Sequence, residues 1–197
     1  MRLLFCTIAA AAIMTGCSAD SKSASPTPAI DEVTPALPTP SSQPTSTSAC
    51  PTPPAESATS LAYTGAATAQ GQAVLSGVQS ATSACSDTTT FTFAGTGVPG
   101  YTAKYVPAVS QCGSGQPVTT AGPAQIYLRL EPAVAHDSSG HPTLSTTSQA
   151  PGFPSIMELK LTCDFEGVVA WAIGTPEKYF SVTTASAPSR IIVEVYH

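Results

Sequence analysis

Three stretches of the chain alternate apolar and polar residues with a period of two. In Gln125–Glu131, Ile126, Leu128 and Leu130 oppose Tyr127, Arg129 and Glu131. In Glu158–Glu166, Leu159, Leu161, Cys163 and Phe165 oppose Lys160, Thr162 and Asp164; in Arg190–Tyr196 the apolar set is Ile191, Val193 and Val195. A period of two sends successive side chains to opposite faces of a strand, so each stretch is a strand with one buried face. Gln72–Gln79, Thr89–Ala94, Tyr101–Val106, Val168–Ile173 and Tyr179–Thr184 are further strand candidates, with Gly and Pro punctuating the gaps. No long segment repeats at 3.6 residues. The pattern therefore predicts an all-β chain, with residues 61–197 folded as a single antiparallel β-sandwich.

The preceding 60 residues obey different rules. Arg2 is followed by an apolar run, Leu3–Met14, too short to span a bilayer as a helix. This is the layout of an export signal, residues 1–16. Its end, Met14-Thr15-Gly16-Cys17, resembles a bacterial lipobox. The resemblance implies that Cys17 receives a diacylglyceryl group, becomes the mature N-terminus and anchors the chain to the outer face of the cell membrane. Residues 17–60 are mostly Ser, Thr, Pro and Ala and hold nine of the 19 prolines. With so little apolar surface to bury, the segment is expected to be a disordered tether. It would reach about 35–40 Å as a flexible coil and up to about 130 Å as polyproline II.

Removing residues 1–16 takes Arg2 away and leaves six basic and twelve acidic side chains, a formal charge of −6. That balance argues against nucleic acid as a partner. Cys6 leaves with the signal and Cys17 is assigned to the lipid, so Cys50, Cys85, Cys112 and Cys163 remain. An even count in an exported chain favours disulfides. Three connectivities are open, and Cys112–Cys163 with Cys50–Cys85 is the expected one.

Several short motifs invite a chemical reading. Asp164 and Glu166 lie two residues apart around Phe165, as the paired carboxylates of a glycan hydrolase would. Alternation plus a turn at Gly167 accounts for the same residues without chemistry: Phe165 points inward and both carboxylates lie on the polar face. Gly95–Gly100 matches G-x-G-x-x-G, but a strand-like run follows where a dinucleotide site needs a helix, so it is read as a turn. His136, Asp137 and His141 are metal-ligand types in a Ser/Gly loop without a third anchor, and are read as a solvated turn. No cofactor or metal is expected.

Other elements occur together: Pro99-Gly100-Tyr101, Gly122-Pro123-Ala124, Ala135-His136-Asp137, Asp164-Phe165-Glu166-Gly167, Phe180-Ser181-Val182 and Pro188–His197. From about residue 87 onward this set resembles the AMIN-like domain of actinobacterial lipoproteins. That family is similar to the AMIN domain, a β-sandwich that targets cell-wall amidases and secretion pores to peptidoglycan. The resemblance implies a non-catalytic binding module for cell-wall glycan or an envelope protein. For such a ligand, aromatic rings stack on sugars and arginines meet carboxylates. Tyr101, Arg129, Trp171 and Arg190 are the candidate ligand residues, with Tyr105, Tyr127 and Tyr196 as further rings. The alternatives are a carrier of a lipid or small apolar ligand inside the sandwich, and a hydrolase using Asp164 and Glu166. A weak internal echo links Phe91–Val106 to Val169–Thr184, each reading strand, Gly/Pro turn, aromatic, strand.

Overall fold

The computed structural model describes Cys50 and residues 61–197. The signal, the lipobox with Cys17 and, Cys50 apart, the tether lie outside the described residues. The described part is all strand and loop. Its strands are β1 (Ala62–Gly65), β2 (Ala73–Thr82), β3 (Ser86–Phe93), β4 (Gly100–Val106), β5 (Val109–Ser110), β6 (Pro117–Val118), β7 (Ala124–Glu131), β8 (Ala133–Val134), β9 (Ser148–Gln149), β10 (Glu158–Phe165), β11 (Val168–Thr175), β12 (Phe180–Ser186) and β13 (Ser189–Tyr196). All eight stretches read from periodicity are strands. The five that periodicity does not reveal, β1, β5, β6, β8 and β9, have two to four residues each, too few to show a period.

Two sheets face each other. One has six strands in the order β1-β4-β7-β11-β10-β9; the other has five, β12-β13-β3-β2-β8, with only β2 and β8 parallel. Their inner faces interdigitate. Ile126, Leu128, Leu130, Leu159, Trp171 and Ile173 from the first sheet meet Leu75, Phe91, Ile191, Val193 and Val195 from the second, all fully buried. Phe91 and Trp171 touch edge-on across the layers, with ring centroids 5.8 Å apart. These buried side chains pack together between the sheets, which argues against the apolar ligand of the carrier alternative. The two echo segments prove to be sheet crossings: β3 to β4 leads into the six-stranded sheet, and β11 to β12 leads out of it.

Strand β10 departs from strict alternation. Leu161 pairs with Trp171, but Cys163 pairs with Ala170, so Thr162 is an extra residue, a β-bulge. A one-residue insertion flips every later side chain to the other face. Phe165 is consequently 59% exposed, which corrects the expectation that it points inward. Cys163 also turns outward and forms a disulfide with Cys112; Cys50 is joined to Cys85. The bulge frees the Thr162 carbonyl to accept the Cys112 N–H at 3.0 Å, and Thr162 Oγ1 donates to Ala170 O at 3.1 Å. These contacts fix the β5–β6 hairpin against the outer face of the six-stranded sheet, where Val109 and Val118 cover Ala172.

The end of β10 is a two-residue hairpin turn, because Phe165 pairs with Val168. Glu166 (φ 50°) and Gly167 (φ 77°) both take left-handed backbone, the type I′ pattern that suits strand twist. Gly95–Gly100 is a loop leading into β4. A side chain at Gly97 (φ 82°) would strike the Ala69 backbone at 2.5 Å, which explains that glycine without any phosphate.

One buried carboxylate ties the loop before β10 to the core. Asp87 is fully buried, and its Oδ2 accepts the N–H groups of Ser155 (2.5 Å) and Ile156 (3.0 Å). Asp87→Ala would leave two buried donors unmade, an expected cost of about 1–3 kcal/mol. Urea unfolding should show a lower midpoint with an unchanged slope. Glu158 anchors another loop through Ala121 N–H (2.7 Å) and the Lys160 ammonium (3.0 Å). The Lys160 hydrogen bond, more than the Ala121 N–H, holds its carboxyl below the ordinary value against the opposing pull of burial. The stability it lends is therefore complete above the ordinary glutamate range and lost as pH falls through its lower folded value. Glu158→Gln should flatten the acid limb of a stability–pH curve.

Candidate binding face

The strand registers map the outer face of the six-stranded sheet row by row. One row runs Thr64, Thr102, Arg129, Ala170, Cys163; the next runs Ala62, Lys104, Tyr127, Ala172, Lys160. Glu131 and Phe165 stand at the end of the face nearest the Glu166–Gly167 turn. A depression of about 370 Å³ lies on this face beside Val168, walled by Tyr127, Arg129, Glu131, Phe165 and the Cys112–Cys163 disulfide. A second, of about 280 Å³, lies between Thr64, Tyr101, Thr102 and the same Arg129 and Glu131. Arg129 Nη1 donates to Glu131 Oε2, and the pair forms the ridge between the two depressions with both side chains nearly half exposed. The face offers an exposed ring, a guanidinium, a carboxylate and hydroxyls on a shallow floor. That set can stack on apolar ring faces and exchange hydrogen bonds with hydroxyl or carboxylate groups.

The four candidate ligand residues do not converge. Arg129 lies on this face. Tyr101 borders it, half-buried, with its ring packed against the core. Arg190 alternates with the buried Ile191 and so lies on the outer face of the opposite sheet. Trp171 is fully buried between the sheets, so the reading of it as a ligand platform is corrected: it is the largest core side chain. Phe165 was missed for the opposite reason, since alternation assigns it inward and nothing in its composition announces the bulge.

Asp164 and Glu166 do not form a facing pair. Asp164 Oδ1 accepts the Ala135 N–H at 3.0 Å and Oδ2 meets His136 Nδ1 at 2.8 Å, clamping the chain after β8 to the β10–β11 hairpin. Glu166 sits exposed in the turn. His136 is thereby separated in role from Asp137 and His141, which close a local turn. Asp137 Oδ1 accepts the N–H groups of His141 (2.9 Å) and Ser139 (2.8 Å), and the first of these does most to hold its carboxyl below the ordinary value. Among the described residues no group of three His, Cys, Asp or Glu side chains is gathered as a metal site.

A larger hollow, about 620 Å³, opens at the rim of the sandwich between the β5–β6 hairpin and the 119–124 segment. It is lined by Val106, Pro107, Pro117 and Pro123, with Tyr105 and Glu177 at its border. Tyr105 Oη donates to Lys178 O (2.7 Å) and accepts from Lys178 N (2.9 Å). Burial raises the Tyr105 phenol above its ordinary value despite a hydrogen bond with Thr175.

The two aromatic residues should separate by stability. Trp171→Ala removes a core side chain and is expected to cost about 3–5 kcal/mol. Phe165→Ala, at an exposed position, should change stability by less than about 0.5 kcal/mol. Denaturant titration of both variants checks the assignment of one ring to the core and the other to the surface.

No curated protein and no solved structure matches this chain. The family model described as AMIN-like domain matches residues 73–197, from the first residue of β2 through β13, which is more than half of the sequence and takes in both sheets and the Arg129–Phe165 face. The chain belongs to the AMIN-like domain family.

Proposed function

We propose that this chain is a non-catalytic module of the cell envelope that binds cell-wall glycan on the outer face of its six-stranded sheet. The observation that carries the reading is the exposed Phe165 ring beside the Arg129–Glu131 pair, around one shallow depression. A sugar would stack on the ring, and its hydroxyl or carboxylate groups would meet the charged pair. Membership of the AMIN-like family supports an envelope role. Two disulfides support an exported chain, since they persist in oxidising compartments. In this reading Cys17 carries the diacylglyceryl anchor, and the Pro/Ser/Thr tether presents the sandwich to the wall.

The test is co-sedimentation of residues Thr47–His197, which keep both disulfides, with purified sacculi at low and high salt. Pelleting that survives salt is expected, because stacking is not screened as ion pairs are. Phe165→Ser and Arg129→Ala should each weaken binding about tenfold, or about 1.4 kcal/mol. Arg190→Ala, on the far sheet, should not. A domain that stays in the supernatant would remove the glycan reading and direct the search to an envelope protein as partner.

A further inference from the structure

Strand β12 forms one edge of the five-stranded sheet and, among the described residues, pairs only with β13. Soluble proteins usually blunt such edges with short strands, charges, prolines or bulges. The other three edges of the two facing sheets follow that rule: β1 has four residues, and β8 and β9 have two each. β12 does not. It has seven residues, none charged and none proline, and its register with β13 is unbroken from Phe180 to Ser186. Thr183, Thr184 and Ser186 are exposed, and among the described residues no backbone hydrogen bond outside the β13 ladder involves Ser181–Ser186.

We propose that β12 is a dimerisation strand, pairing antiparallel with β12 of a second copy about a two-fold axis at Thr183. That register sets Thr183 against itself, Val182 against Thr184, Ser181 against Ala185 and Phe180 against Ser186. Each pair is uncharged, and threonine and β-branched residues favour such cross-strand positions. A two-fold interface must be self-complementary, and the flanking strand meets that condition. In β13, Glu194 lies beside Ser181 and Arg190 beside Ala185. Antiparallel pairing therefore brings Arg190 of each copy into the same row as the second copy's Glu194. Only Ala185 and the second copy's Ser181 stand between them, about 14 Å from Cα to Cα at three strand spacings. Both intervening side chains are small, so the row between the two charges is open, while each Glu194 carboxylate accepts from Ser86 Oγ (2.6 Å) and Tyr196 Oη (3.0 Å) of its own chain. Arg190 Nε is buried and has no hydrogen-bond partner among the described residues. The joined sheets would have ten strands.

The proposal is tested by sedimentation equilibrium of Thr47–His197 across the micromolar to millimolar range, with cooperative melting as the control for folding. A reversible monomer–dimer equilibrium is expected, with slower amide exchange at Thr183 as concentration rises. Thr183→Lys and Thr183→Glu, which each place like charges opposite one another, should melt as the parent does and lose the dimer. Mixing the two variants should restore a heterodimer. A parent that stays monomeric throughout the range would overturn the proposal. So would a dimer that Thr183→Lys leaves intact, or unchanged Thr183 exchange in a chain that associates.

Discussion

The bulge at Thr162 decides what the sandwich shows to its surroundings. Up to Leu161, β10 follows the rule that its neighbours follow, with Leu159 buried and Lys160 outward. Beyond the extra residue the faces exchange, because a side-chain period of two converts a shift of one into a complete reversal. Cys163 and Phe165 are thereby delivered to the outer face, and Asp164 to the rim, where it meets Ala135 and His136. The freed carbonyl receives Cys112, and the disulfide turns that docking into a covalent one. The hairpin, the disulfide wall of the depression and the exposed ring thus share one local cause.

The rest of the fold makes that exchange affordable. The β7 and β11 inner faces are continuous apolar surfaces, and Trp171 spans the layers to Phe91. Loops are bound to this frame by specific polar groups: Asp87 to Ser155 and Ile156, Glu158 to Ala121, and Tyr105 to Lys178. A packed interior leaves recognition to the outside of the sheets. The two outsides differ: one carries the hairpin and the Arg129–Phe165 depression, and the other carries Arg190 and Glu194 beside the free edge of β12.

Much of the fold was legible from period and punctuation. Gln125–Glu131 and Arg190–Tyr196 alternate without interruption and are strands with the inner and outer sets as read. Gly167 marks its turn, and the cysteines pair as Cys50–Cys85 and Cys112–Cys163. The candidate site was much less legible. Arg129 was named from chemistry and lies on the face. Trp171 was named for the same reason and lies in the core, because residue type describes what a side chain can do and not which way it points. Alternation assigns Phe165 inward because a bulge carries no obligatory residue when its backbone needs no glycine.

By itself the sequence determined the architecture: the alternation sets which residues are buried, and burial requires a second sheet. It also determined the family, since the matched residues extend through both sheets. Tertiary structure alone decided the register slip at Thr162, the grouping of Arg129, Glu131 and Phe165 from two separate strands, and the placement of Arg190 on the opposite face. These depend on which strands lie side by side and on how they are offset. Pairing between distant segments is set by the packing of the whole core, which no local pattern records.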